Sequence, residues 1–265
     1  MITGIEDLST LTLSLVLVAG FAAGWIDAVV GGGGLLQLPV LLMVPGITPV
    51  QALATNKLGS IFGTATSSLT YYRRVRPDLR TALPMAAIAL LGSVAGAMLA
   101  VSLPQSVFKP VIVLALLGVA LFTAFSRNLG QTTVLRFQGR RHYLSACGIG
   151  AVIGAYDGLL GPGTGSFLVI ALVALMGYRF LEASAQAKIV NLATNFGALL
   201  FFSFQGSVLW TLGILLGLAN MAGGYLGART AVARGSRFIR IIFLIVVTAL
   251  ILKLSWDIAG DLLPR

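Results

Sequence analysis

The chain is divided into apolar runs too long and too closely spaced for a water-soluble core. They cover 11–30, 35–44, 53–71, 83–103 and 107–125 in the first half, then 143–160, 164–177, 183–203, 208–228 and 241–256 in the second. Several reach or approach the roughly 20 residues that a helix needs to cross a hydrocarbon core. With 265 residues, 57% of them hydrophobic and only 10% charged, and a mean hydropathy of +0.97, one soluble domain cannot hide this much apolar surface. The expected fold is an all-α polytopic membrane protein of ten segments, five in each half. The first run follows Glu6 and Asp7 instead of a basic region and precedes a long membrane domain, so it reads as a span and not as a secretory signal. Arg127 to His142 is the longest polar stretch and reads as a linker.

Positive charge falls in three short loops. Arg73, Arg74, Arg76 and Arg80 form the first cluster, Arg127, Arg136, Arg140 and Arg141 the second, and Arg229, Arg234, Arg237 and Arg240 the third. A nucleic-acid binder of net charge +10 would gather its charges on one accessible face among polar or aromatic readers, which this pattern does not do. Clusters between apolar runs instead follow the positive-inside rule. Two runs separate the first cluster from the second and four the second from the third, so all three share the cytoplasmic face when the short runs count as crossings. Both termini, with Glu6, Asp7, Asp257 and Asp261, then fall on the periplasmic side.

The second half repeats the first. GWIDAVVGGGGLLQLPVLL (24–42) lies over GAYDGLLGPGTGSFLVIAL (154–172), matching Asp27 with Asp157, Gly31 with Gly161 and Gly33 with Gly163. With the offset drifting by one, QALATNKLGSIFGT lies over EASAQAKIVNLATN and pairs Lys57 with Lys188; LGSVAGAML (91–99) lies over LANMAGGYL (218–226). The chain therefore divides into a membrane repeat at 1–126, a cytoplasmic linker at 127–142 and a second membrane repeat at 143–265. A repeat with an odd number of segments inserts its second copy upside down, the arrangement of many secondary transporters, whose substrate sites lie where broken helices meet near the midplane. Gly92, Gly96, Gly223 and Gly224 read more simply as close helix contacts.

The run GFAAGWIDAVVGGGGLLQLPVLL, followed by ALATNKLGSIFGT and YYRR and echoed by GAYDGLLGPGTGSF and AKIVNLATN, resembles the TauE/SafE family of membrane transporters, the sulfite exporters. The resemblance covers nearly the whole chain. It implies outward transport of sulfite, or of an organosulfonate such as sulfoacetate, across the bacterial inner membrane. It also implies seven or eight membrane helices, against the ten segments counted above unless the two short runs, 35–44 and 164–177, are half-helices that cross only part of the bilayer.

Four ionisable residues sit within the apolar runs, where a functional role is the default reading: Asp27, Lys57, Asp157 and Lys188. The lysines either snorkel to the interface or hold an anion. Thr55, Asn56 and Ser60 surround Lys57, while Gln186, Asn191 and Asn195 surround Lys188; Ser60, Asn191 and Asn195 share a helix face with a lysine. The aspartates either carry a coupling proton, cap a broken helix or pair with a lysine of the other segment. Gly31, Gly32, Gly33 and Gly34, with Gln37, and Gly161, Gly163, Thr164 and Gly165 stand before the short runs. There, backbone amides and the helix dipole favour an anion, and missing Cβ atoms let it approach. The alternative is tight helix crossing. A phosphate loop does not fit, since no Lys-Ser/Thr follows the glycines.

Cys147 stands alone and His142 is the sole histidine, read as an interface residue at a basic loop. No disulfide, metal site, cofactor motif or Ser/His/Asp arrangement is indicated, so an enzyme is not expected. The expected partners are a small anionic substrate and the lipid bilayer, with a homo-oligomer left open. A secondary transporter, a passive anion channel and a non-transporting scaffold are the three classes to separate.

Overall fold

The computed structural model describes residues 9–102 and 132–262. The fifth apolar run, 107–125, and the start of the linker lie outside the described residues.

Every regular element described is helical: α1 (Thr10–Val30), α2 (Gly34–Leu42), α3 (Pro49–Val75), α4 (Leu79–Ala100), α5 (Gly139–Leu159), α6 (Thr164–Ala171), α7 (Phe180–Phe204) and α8 (Trp210–Leu262). A π turn, Leu172–Met176, extends α6. Local chemistry sets the boundaries. Ser9 caps α1 by accepting from the Thr12 N–H, and Gly31 ends it at φ 84°. Thr48 and Gln51 form a capping box at α3, with Pro49 in its first turn and Arg73 and Arg74 in its last. Asp78 caps α4. At Gly235 (φ 71°, ψ −170°) α8 breaks into two helices end to end, which restores the separate ninth and tenth apolar runs.

Among the described residues, four helices are long and apolar enough to cross a membrane: Thr10–Val30, Leu79–Ala100, Phe180–Phe204 and Trp210–Val246. Helix α3 has the length, at 27 residues, but a more polar composition, with Thr55, Asn56, Lys57, Thr64, Ser67 and Ser68 all buried.

The basic clusters meet at one end of the molecule. His142 Nε2 lies 3.0 Å from the Thr81 hydroxyl and 3.0 Å from the Tyr178 hydroxyl, which joins the starts of α4, α5 and α7. The Leu181 N–H donates to Ser236 Oγ at 3.1 Å, which adds the break in α8. At the other end the Leu209 N–H donates to Thr55 Oγ1 at 3.2 Å, and Val16, Leu41, Val44, Ala52 and Leu212 share one apolar cluster.

The two short helices, which the sequence leaves open as full or partial crossings, are return arms. Helix α2 has nine residues, about 14 Å of rise against a core of about 30 Å. It folds back along α1 toward the end opposite the arginines, where Leu41 meets Val16. Helix α6 folds back along α5 toward the basic end, where Tyr178 meets His142. A long arm followed by a short return leaves the chain on its starting side, as two crossings would. The parity of the arginine clusters is therefore the same in either case.

The halves interleave instead of packing as separate bundles. Helix α1 lies along the first part of α8, and α4 lies along α5. Both contacts run over small residues. A Cβ on Gly223 would fall 1.9 Å from the Phe21 carbonyl oxygen, and one on Gly96 would fall 2.0 Å from that of Ala155. Gly92 and Gly224 face backbone at 2.7 and 2.8 Å, so all four glycines serve close helix contact.

Candidate functional site

The glycine breaks of the two hairpins touch. Gly31, at φ 84°, accepts the Ser166 N–H on its carbonyl at 3.0 Å, while Ser166 Oγ donates to the Val30 carbonyl at 2.9 Å. A Cβ on Gly31 would lie 2.1 Å from the Gly165 carbonyl carbon, so both backbone angle and space demand glycine here. On the other hairpin Gly161 and Gly163 also have positive φ, at 80° and 84°.

Across this junction run two crossed ion pairs. Lys57, from α3, places Nζ 2.7 Å from Asp157 Oδ1 and donates to the Asp157 carbonyl at 2.8 Å. Lys188, from α7, places Nζ 2.8 Å from Asp27 Oδ2 and also donates to the Asp27 carbonyl. Each lysine thus meets the carboxylate and a last-turn carbonyl of the broken helix of the other hairpin. Each ammonium has two acceptors, and the negative end of a helix dipole, beside it. Both lysine side chains are only 1% exposed, so neither snorkels. Among the described residues no backbone N–H reaches either carboxylate. Of the three readings open for the aspartates, the geometry is that of pairing with the opposite lysine. The pairs are unequal: Asp157 is 1% exposed and Asp27 13%.

Between the pairs lies a polar cavity with about 20 Å³ of water-accessible volume, room for one or two waters. It is lined by Asp27, Gly31, Gly34, Asn56, Lys57, Ser60, Asp157, Gly161, Gly163, Thr164, Gly165, Asn191 and Asn195. Most residues singled out in the sequence therefore converge. Gly32, Gly33, Gln37 and Lys188 do not line it. Gly33 packs on α1, where a Cβ would meet the Ala23 carbonyl at 2.4 Å, and the Gly32 carbonyl accepts from Leu35. Gln37 is buried behind the site, accepting from Asn220 Nδ2 at 2.7 Å. Lys188 stands behind Asp27.

Two supporting residues escaped sequence reading. Asn220 holds Gln37, and Ser93 Oγ, 3.5 Å from Asp157 Oδ2, donates to the Thr194 carbonyl at 2.7 Å. The signal was present, since 91–99 over 218–226 places Ser93 on Asn220, yet neither residue is ionisable. His142 is buried in the protein at the basic end, 6% exposed, with its ring between the Thr81 and Tyr178 hydroxyls. Among the described residues no three His, Cys, Asp or Glu side chains gather as they would around a metal.

Chemically, the site is balanced, with two ammonium groups and two carboxylates. Asn56 Oδ1 is buried with no partner, and the N–H groups of Gly33 and Gly34 find no acceptor among the described residues. These are free polar positions beside a glycine-lined wall at the start of α2, where a helix dipole adds positive potential.

Broken helices that meet in the interior are the arrangement found at the substrate sites of many membrane transporters. The chain is a member of the sulfite exporter TauE/SafE family, whose model matches residues 16–254. It is 38% identical over 252 residues to the probable membrane transporter protein ORF9 of Sinorhizobium sp, covering 95% of both chains. It is 33% identical to a probable membrane transporter protein of Haemophilus influenzae, over 95% of this chain and 97% of that one. The probable membrane transporter protein YfcA of Escherichia coli K12 is also 33% identical, over 96% of this chain and 93% of its own. No solved structure matches the chain.

Proposed function

We propose that the protein is a secondary transporter that exports a small anion, sulfite or an organosulfonate such as sulfoacetate, across the bacterial inner membrane in exchange with or alongside protons. The crossed Lys57–Asp157 and Lys188–Asp27 pairs around the glycine-lined cavity carry this reading. A buried ion pair tolerates loss of neither partner, because the charge left behind is uncompensated. An anion that takes Lys57 must therefore replace a carboxylate, and the displaced carboxylate is accommodated by taking a proton. Anion entry and proton uptake become one event.

In this reading the substrate contacts are Lys57, Asn56, Ser60, Asn191, Asn195, Thr164 and the backbone of Gly31, Gly34, Gly161, Gly163 and Gly165. Lys188 holds Asp27. Asp157, the carboxylate that an anion on Lys57 displaces, carries the coupling proton. The repeats at 1–126 and 143–265, joined by 127–142, are inverted halves, and rocking one against the other alternates access. Hairpins that open toward opposite ends of the molecule support that inversion. The sidedness follows the arginines, with both termini periplasmic.

The test is reconstitution in liposomes with an internal pH readout, offering sulfite, sulfate, sulfoacetate and thiosulfate separately. Anion flux accompanied by pH movement is the expected result with sulfite or sulfoacetate. No pH movement with any of the four would overturn the coupled carrier, and flux that simply follows the electrochemical gradient would make the protein a channel. In Asp157→Asn, where the amide imitates the protonated acid and the anion itself compensates Lys57, anion flux should persist without pH movement.

A further inference from the structure

A second polar cavity lies at the basic end of the molecule, in the turn from α3 to α4. It is open, about 680 Å³ in volume, and lined by Tyr72, Arg73, Arg76, Pro77, Leu79 and Arg80 together with Asp78. Arg73, Arg76 and Arg80 are exposed, and none has an acidic partner at ion-pair distance among the described residues. Asp78 offsets one of the three charges but forms no ion pair with any of them. Its Oδ1 accepts the Arg80 backbone N–H at 3.0 Å and its Oδ2 accepts from the Thr81 hydroxyl at 2.6 Å, so the carboxylate is spent on capping α4. The cavity therefore concentrates free guanidinium groups, the donors best matched to a phosphate ester.

What sits below the arginines selects the source of the phosphate. Helix α4 begins at Leu79 and is apolar enough to span the membrane, so the cavity lies at the level of the headgroups. Tyr72 is 47% exposed at its rim, as an aromatic at the membrane interface would be. One turn deeper on the same helix faces are Leu69, 49% exposed and three residues from Tyr72, and Leu83, 56% exposed and four residues from Leu79. A basic cavity above two exposed leucine positions fits a phosphodiester headgroup with its acyl chains.

We infer that the α3–α4 turn is a binding site for an anionic phospholipid, with Arg73, Arg76 and Arg80 on the phosphodiester and Leu69 and Leu83 beside the chains. It is separate from the transport cavity and requires no substrate.

The test is native mass spectrometry of the full-length protein in detergent, titrated with dioctanoyl phosphatidylglycerol or dioctanoyl phosphatidylcholine. Phosphatidylglycerol should bind preferentially, and R73Q/R80Q should lower that preference roughly 10- to 30-fold, about fivefold per guanidinium. R140Q/R141Q, at the same end but outside the cavity, should keep it. Unchanged preference in R73Q/R80Q would overturn the site. Displacement of the lipid by equal concentrations of sn-glycerol 1-phosphate or inorganic phosphate would overturn the lipid assignment in favour of a soluble phosphate. Hydrogen exchange on the unmodified protein gives a readout independent of variant folding. Phosphatidylglycerol should protect amides within 72–80, and protection confined to other segments would also refute the assignment.

Discussion

At the scale of single residues, the informative comparison is between one broken ion pair and two removed charges. Asp157→Asn leaves Lys57 buried and uncompensated, and the expected cost is about 3–5 kcal/mol, read as a lower melting temperature in detergent. The double variant Lys57→Met/Asp157→Leu buries no charge and should recover most of that loss, while anion uptake into liposomes stays at background. If the double variant transports, Lys57 is not a substrate contact. Sequence alone found all four ionisable groups, because charge inside an apolar run is conspicuous and each recurs in the second half. It did not fix how they pair, since a lysine that snorkels and one that crosses to the opposite hairpin have the same sequence context. The neutral residues Ser93 and Asn220 were harder still: burial, not residue type, makes them part of the site.

Among the elements, close approach depends on a few glycines. Gly223→Val would drive a side chain into the Phe21 carbonyl, 1.9 Å from the ideal Cβ position, and part α1 from α8. Sharply reduced monodisperse yield in size-exclusion chromatography is the expected result. Gly148→Ala, with nothing within 4 Å of the added methyl, should be indistinguishable from the unmodified protein. Helix positions were largely legible, since long apolar runs, the Thr48 capping box and the glycines after Asp27 mark boundaries on their own. The direction of α2 and α6 was not. A nine-residue apolar run has the same hydropathy whether it continues a crossing or doubles back, and only its contacts with α1 decide. The break in α8 was implied by the arginines between its two apolar parts, although nothing singled out Gly235 as the hinge point.

For the whole molecule, the gathering of Arg73, Arg140 and Arg234 at one end makes a sidedness experiment decisive. In a Cys147→Ser background, single cysteines at those three positions should react with a membrane-impermeant maleimide from the same side, and a cysteine at Ser9 from the other. Reaction of the three from different sides would break the arrangement of the helices as described. The crossed pairs also bear on how the chain is made. Lys57 waits 100 residues for Asp157, and Asp27 waits 161 for Lys188. At ordinary elongation rates those delays are roughly 5–30 s. Throughout that interval the first half holds Asp27 and Lys57 without the partners they have in the finished fold. The two ion pairs therefore close only after both halves of the chain have been made.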